Sequence, residues 1–350
     1  MPPCPALPAR RRASRRQTHR ALAALVAALL GGAAAGTAAE PAPPAGHPAG
    51  ASARPLEAPG PQGALAGTLQ DAGAGRPVAL LLAGSGPTDR DGNSALGVRA
   101  APLRLLAEGL AAAGISSLRA DKRGMLGSRA AVGPEGPHTV GAYAEDAARW
   151  VRRLRTDPGA DCVWLIGHSE GGLVALLAAQ DPVGLCGLVL LATPGRPLGT
   201  LLREQFRANP ANGPLLPALL GTLDALEAGR PVELAGQHPA VQALFAPANQ
   251  PYFRDALPRD PTALAAALRR PVLVVQGERD LQVLPADAAA LAAAAPAAER
   301  WTSPAMNHVL KTAPADRAGN LATYADATLP LAPGLVQAVA GFIQRHTPAR

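Results

Sequence analysis

A chain of 350 residues with 48% hydrophobic content holds enough apolar mass for a sizeable core, and only 3% aromatic residues argues against stacking-based binding of nucleic acid or glycans. The formal net charge is +7, but six arginines and no acid fall within residues 1–39. The remainder is nearly neutral, at about +1, so the positive balance is no argument for a nucleic-acid partner.

Residues 1–39 read as an export signal. Arg10, Arg11, Arg12, Arg15, Arg16 and Arg20 make a basic start, Ala21–Leu30 an apolar stretch, and Gly36-Thr37-Ala38-Ala39 a small-residue cleavage site. Ser14-Arg15-Arg16 resembles a twin-arginine signal but has Thr18 where a hydrophobic residue is expected, which leaves Sec or twin-arginine export open. The alternative, an uncleaved anchor, is weakened by the Ala and Gly content. The expected location is periplasmic or secreted, with no stable membrane insertion after cleavage. Residues 40–61, rich in Pro, Ala and Gly, read as a flexible linker.

From residue 62 to 348, short apolar runs alternate with helical patterns. Ala64–Leu69 predicts a first strand. Pro77–Ala83 is continuously apolar, as for a strand buried on both faces. The loop Gly84-Ser85-Gly86-Pro87-Thr88-Asp89-Arg90-Asp91-Gly92-Asn93 follows it. It fails as a dinucleotide loop, because Asp89 stands where a glycine belongs. It fails as a calcium loop, because its glycine comes too early and Ala100 replaces the glutamate ligand. Val98–Ala113 predicts a helix ended by Gly114, and Ile115–Leu118 a strand leading into Arg119-Ala-Asp-Lys-Arg-Gly124, whose charges are expected to order the loop by ion pairs, with a substrate contact as the alternative. Tyr143–Thr156 predicts a helix capped by Thr139.

Val163–Ile166 predicts a buried strand, and Leu173, Val174, Leu176 and Leu177 a helix. Between them stands Gly167-His168-Ser169-Glu170-Gly171, a Gly-x-Ser-x-Gly turn whose glycines allow strand and helix to approach while the serine hydroxyl is lifted above the sheet. Cys186–Ala192 predicts the next strand. Cys162 and Cys186 each start a strand; if these are parallel neighbours the thiols lie level, either as a disulfide or as two buried free thiols. Residues 196–262 break the alternation, with helical composition and many prolines, and predict a lid. Its Phe206, Leu215, Leu219, Leu244, Phe245 and Phe253 are candidates either for a substrate pocket or for packing the lid itself, with Phe245 and Phe253 selected as substrate-binding. Pro271–Gln276 predicts a strand ending in Gly277-Glu278-Arg279-Asp280. Ala286–Ala295 predicts a helix, Arg300–Ser303 a last strand before Met306-Asn307-His308, and Gly334–Arg345 a closing helix.

The Gly-x-Ser-x-Gly elbow and the Gly-Ser-Gly-Pro-x-Asp-Arg-Asp loop resemble those of the α/β-hydrolase family, most closely bacterial esterases of the dienelactone-hydrolase and serine-aminopeptidase type. The resemblance extends over most of residues 62–348. It implies an α/β fold with a mostly parallel central sheet flanked by helices, and a catalytic order of nucleophile, acid, histidine. Ser169, Asp280 and His308 match that order and all fall at predicted strand ends, where such sheets bind ligands. Glu278 and Asp287 are rival acids. His168 sits in the elbow as a structural residue. The resemblance further implies an oxyanion hole from the backbone N–H groups of Ser85 and Glu170. The expected activity is a short-acyl carboxylesterase acting on a small-molecule ester. The alternatives are a serine peptidase or amidase, and a hydrolase-fold binding protein without turnover. The sequence carries no metal-ligand pattern and no phosphate loop, and neither metal nor cofactor is expected.

Overall fold

The computed structural model describes residues 52–95, 97–132 and 139–347. The expected signal at residues 1–39, and the first part of the expected linker, lie outside them. Among the described residues the backbone forms one sheet of eight strands: β1 (Ser52–Pro59), β2 (Ala64–Asp71), β3 (Val78–Leu82), β4 (Ser116–Ala120), β5 (Val163–His168), β6 (Leu185–Leu191), β7 (Val272–Gly277) and β8 (Ala298–Ser303). Their spatial order is β1-β2-β4-β3-β5-β6-β7-β8. The β1–β2 and β2–β4 pairs are antiparallel and the rest parallel.

The central strands are apolar because both faces are covered. Leu80, Leu165, Leu188 and Val274 point to one side, against Trp150, Leu154 and Leu176. Leu81, Ile166, Val189 and Val275 point to the other, against Leu106, Leu110, Phe342 and Ile343. The helices Val140–Thr156, Glu170–Ala178 and Pro285–Ala294 form the first layer, and Pro102–Ala112 and Leu335–His346 the second.

Two boundaries depart from the sequence reading. The second half of the expected linker is β1, not flexible chain. Leu56 and Ala58 turn inward between exposed Pro55, Glu57 and Pro59, a period-two pattern, and prolines are tolerated because β1 is an edge strand. Arg153 Nε also donates to the Glu57 carbonyl at 3.0 Å. The helix expected from Val98 begins at Pro102, since Ala101 is left-handed (φ 46°) and proline is preorganised for a first helical position.

Cys162 and Cys186 form a disulfide across the starts of β5 and β6, with Cα atoms 5.2 Å apart. Residues 196–262 form an all-helical insertion after β6, carrying Leu198–Ala208, Leu216–Glu227, Pro239–Leu244 and Gln250–Ala256, and the helix Pro261–Ala266 leads from its end to β7. Its core (Phe206, Leu223, Leu226, Val241, Phe245, Phe253) packs on Val140, Tyr143, Leu173 and Val174, which seats the insertion at the carboxyl end of the sheet.

Candidate active site

Ser169 is the residue between β5 and the helix Glu170–Ala178. Its backbone is held at φ 55°, ψ −122°, a conformation that costs a non-glycine residue on the order of 1–3 kcal/mol. The flanking glycines make this turn possible. A Cβ on Gly167 would lie 2.2 Å from the Gly171 carbonyl oxygen, and one on Gly171 would lie 2.2 Å from that of Leu82.

Asp280 follows β7 and His308 follows β8, and the two meet. His308 Nδ1 lies 2.9 Å from Asp280 Oδ2, with the carboxylate fully buried. A carboxylate only accepts, so Nδ1 carries the proton and Nε2 is left as the basic nitrogen. Asp280 Oδ1 accepts from the Gln282 and Val283 N–H groups at 2.8 and 2.9 Å, which fix the orientation of the carboxylate. The rival acids are placed elsewhere. Glu278 is exposed. Asp287 is buried but spent on structure: Arg196 Nε donates to it at 2.8 Å and Leu284 N–H at 3.0 Å.

His168, beside the serine, packs on His308 with ring centroids 4.9 Å apart. Its Nε2 is 2.8 Å from the His308 carbonyl oxygen, which can only accept, so this nitrogen is the donor. Burial, then the nearby His308, push its pKa down to about 4 and keep it neutral. His168 thus ties the serine turn to the histidine loop.

The expected oxyanion donors are brought to the serine. Ser85, Ser169 and Glu170 line one cavity of about 730 Å³ of empty space, its open mouth included. Glu170 opens the helix after the serine, where N–H groups have no partner within the helix and the helix dipole favours negative charge. The rest of the Ser85 loop is tied down. Asp89 Oδ1 accepts from the Asp91 and Asn93 N–H groups, and Arg90 Nε donates to Asp121 at 2.9 Å.

Phe245 and Phe253 are not in this cavity. Their tilted rings meet at 5.0 Å inside the insertion's own core, fully buried among Phe206, Leu223, Leu226 and Val241. The cavity wall is built instead by Leu173, Leu198, Leu201, Leu202 and Val283. Sequence reading missed these leucines. The usable signal was position: Leu198–Ala208 is the first helix after β6, so it starts at the sheet's carboxyl end. Tyr252 was also missed, and Lys122 was read as a loop-ordering charge; both reach Glu170.

The sheet order, the turn carrying Ser169 and the covering insertion define the chain as an α/β-hydrolase fold protein. Residues 100–219 match the serine aminopeptidase family model. The chain is 32% identical over 211 residues to the esterase EstD of Thermotoga maritima; the match covers 60% of this chain and 48% of that protein, so the chain spans about half the length of this relative. An esterase of Pyrococcus furiosus superposes with a TM-score of 0.53 at 18% identity, covering 85% of this chain and 92% of the other. A thermophilic esterase of Thermogutta terrifontis, solved with malate bound, gives 0.51 at 22% identity, over 84% of this chain and all of that one.

Proposed function

We propose that the protein is a serine hydrolase that cleaves carboxylic esters of small acids through an acyl-Ser169 intermediate. The observation that carries this reading is the His308–Asp280 pair at 2.9 Å, at the same end of the sheet as a strained serine turn opening on a mostly apolar cavity. In this reading His308 Nε2 takes the Ser169 proton as Oγ attacks the ester carbonyl carbon. Asp280 stabilises the imidazolium that results. The Ser85 and Glu170 N–H groups receive the negative charge that develops on the carbonyl oxygen. His308 then returns the proton to the departing alcohol, and water repeats the sequence on the acyl-serine.

The names of the relatives support esters, while the family model's description raises aminopeptidase activity as a second reading. An aminopeptidase needs a free carboxylate near the serine to hold the substrate's ammonium. Among the described residues lining the cavity, Glu170 is the one acid, and its carboxylate is engaged by Lys122 and Tyr252. This favours esters. The leucine wall favours a short acyl chain, with no rate jump at a lipid surface. Steady-state hydrolysis of p-nitrophenyl acetate, butyrate and octanoate, beside amino-acid p-nitroanilides, tests the reading. Ester turnover at least a hundredfold above amide turnover is expected, and the reverse ratio would make the protein a peptidase.

We also place the protein in the periplasm or outside the cell. The arginine-rich, apolar N-terminal segment and the Cys162–Cys186 disulfide both suit export to an oxidising compartment. Mass spectrometry of the mature N-terminus after fractionation tests this; an intact Met1 in the cytoplasmic fraction would refute it.

A further inference from the structure

The Asp121-Lys122-Arg123 loop lies after β4, which neighbours β3, and Lys122 turns under the loop that carries Ser85. Its ammonium donates to the Gly84 carbonyl oxygen, and to that of Gly86 at 3.2 Å. On its other side it meets Glu170 Oε1 at 3.5 Å, and it stands over the Tyr143 ring at 5.3 Å. The second Glu170 oxygen accepts from the Tyr252 hydroxyl, which comes from the helical insertion. The Lys122 and Glu170 side chains are only 9% and 8% exposed. An ammonium has three N–H donors, and these partners occupy them.

The placement has a geometric consequence. The Gly84 carbonyl and the Ser85 N–H belong to the same planar peptide, and in a trans peptide they point in opposite directions. A cation that holds the carbonyl inward therefore turns the N–H outward, towards the cavity shared with Ser169. The same cation holds the side chain of Glu170, whose own N–H is the other donor. A buried ion pair is seldom a net source of stability, whereas it does fix one geometry against its alternatives.

Resting on the esterase reading above, we propose that Lys122 is a positioning residue for the oxyanion hole: it locks the Gly84–Ser85 peptide and the Glu170 side chain so that both N–H groups converge on the reacting carbonyl oxygen. Lys122 touches no substrate. It acts through the backbone that does, and the Tyr252 hydroxyl couples this lock to the insertion.

The test uses the mature protein with Lys122→Met, and with Lys122→Met combined with Glu170→Gln, which removes both buried charges and so protects folding. Each is measured for kcat and KM on p-nitrophenyl butyrate, for inhibition by a trifluoromethyl ketone, and for labelling by a fluorophosphonate. Loss of a single oxyanion donor costs about 100- to 1000-fold in turnover. Both variants should lose at least 100-fold in kcat with KM within about threefold, and bind the ketone at least tenfold more weakly. If the pair serves only to balance charge, the double variant recovers kcat to within threefold of wild type, and the proposal is wrong. It is equally wrong if the loss falls on KM alone. A wild type that neither turns over esters nor takes the label overturns the esterase reading itself, and this proposal with it.

Discussion

Acidification should expose the role of His168 through stability. Its pKa falls from 6.5 to about 4 on folding, because burial disfavours the imidazolium. Between these values the unfolded chain binds a proton that the folded chain refuses, so stability falls as the pH drops through 6.5 and the loss is complete below about 4. From pH 7 to pH 5 this one group accounts for about 2 kcal/mol. His168→Gln keeps a donor for the His308 carbonyl and removes the titration. Urea denaturation of both proteins at pH 7 and pH 5 measures the difference. The wild type should lose about 2 kcal/mol more than the variant over this interval. Other groups that titrate, such as Asp89 and Asp146, contribute equally to both proteins and cancel. Equal losses would show that His168 is not held neutral by burial, and the account of the histidine contact would fail.

Ser169→Ala should fold normally and lose on the order of a millionfold in turnover; a tenth of wild-type activity in the pure variant would exclude Ser169 as nucleophile. Asp280→Asn should lose on the order of ten-thousandfold through the wrong imidazole tautomer, while Glu278→Gln, at an exposed site, stays near wild type; the opposite ranking would move the acid. Leu202→Ala should shift the acyl preference towards longer chains, each methylene being worth roughly 1–3 kcal/mol in kcat/KM. Phe253→Ala should instead cost about 3–5 kcal/mol of stability and leave the chain-length profile unchanged; a shifted profile would return Phe253 to the pocket. Reducing the Cys162–Cys186 bridge, with its sequence separation of 24, should cost about 3 kcal/mol by denaturation with and without reductant.

The elements legible in the sequence were those in which local chemistry and tertiary environment agree. β3, β5, β6 and β7 are buried on both faces, so their apolar runs announced them. The turn at Ser169 was legible because two glycines are required there sterically, and β7 and β8 ended where Asp280 and His308 were expected. β1 was missed because its prolines read as linker, and only pairing along β2 makes Ser52–Pro59 a strand. The insertion was legible as helical, but its inward and outward faces were not. Phe245 and Phe253 are large and apolar, yet which apolar side chains fill a core and which line a cavity depends on how the short helices dock. Lys122 was read as a loop-ordering charge; its link to Gly84 and Glu170 joins segments far apart in sequence, and no local pattern reports that.

In the proposed reaction Ser169 carries the acyl group. Rapid mixing of the mature protein with p-nitrophenyl butyrate, acid quench within the first turnover and mass mapping of the peptides tests it directly. A butyryl adduct on Ser169 is expected, absent from Ser169→Ala and accumulating before steady state. Ester hydrolysis with the adduct on another residue, or with wild-type activity retained in Ser169→Ala, would contradict it.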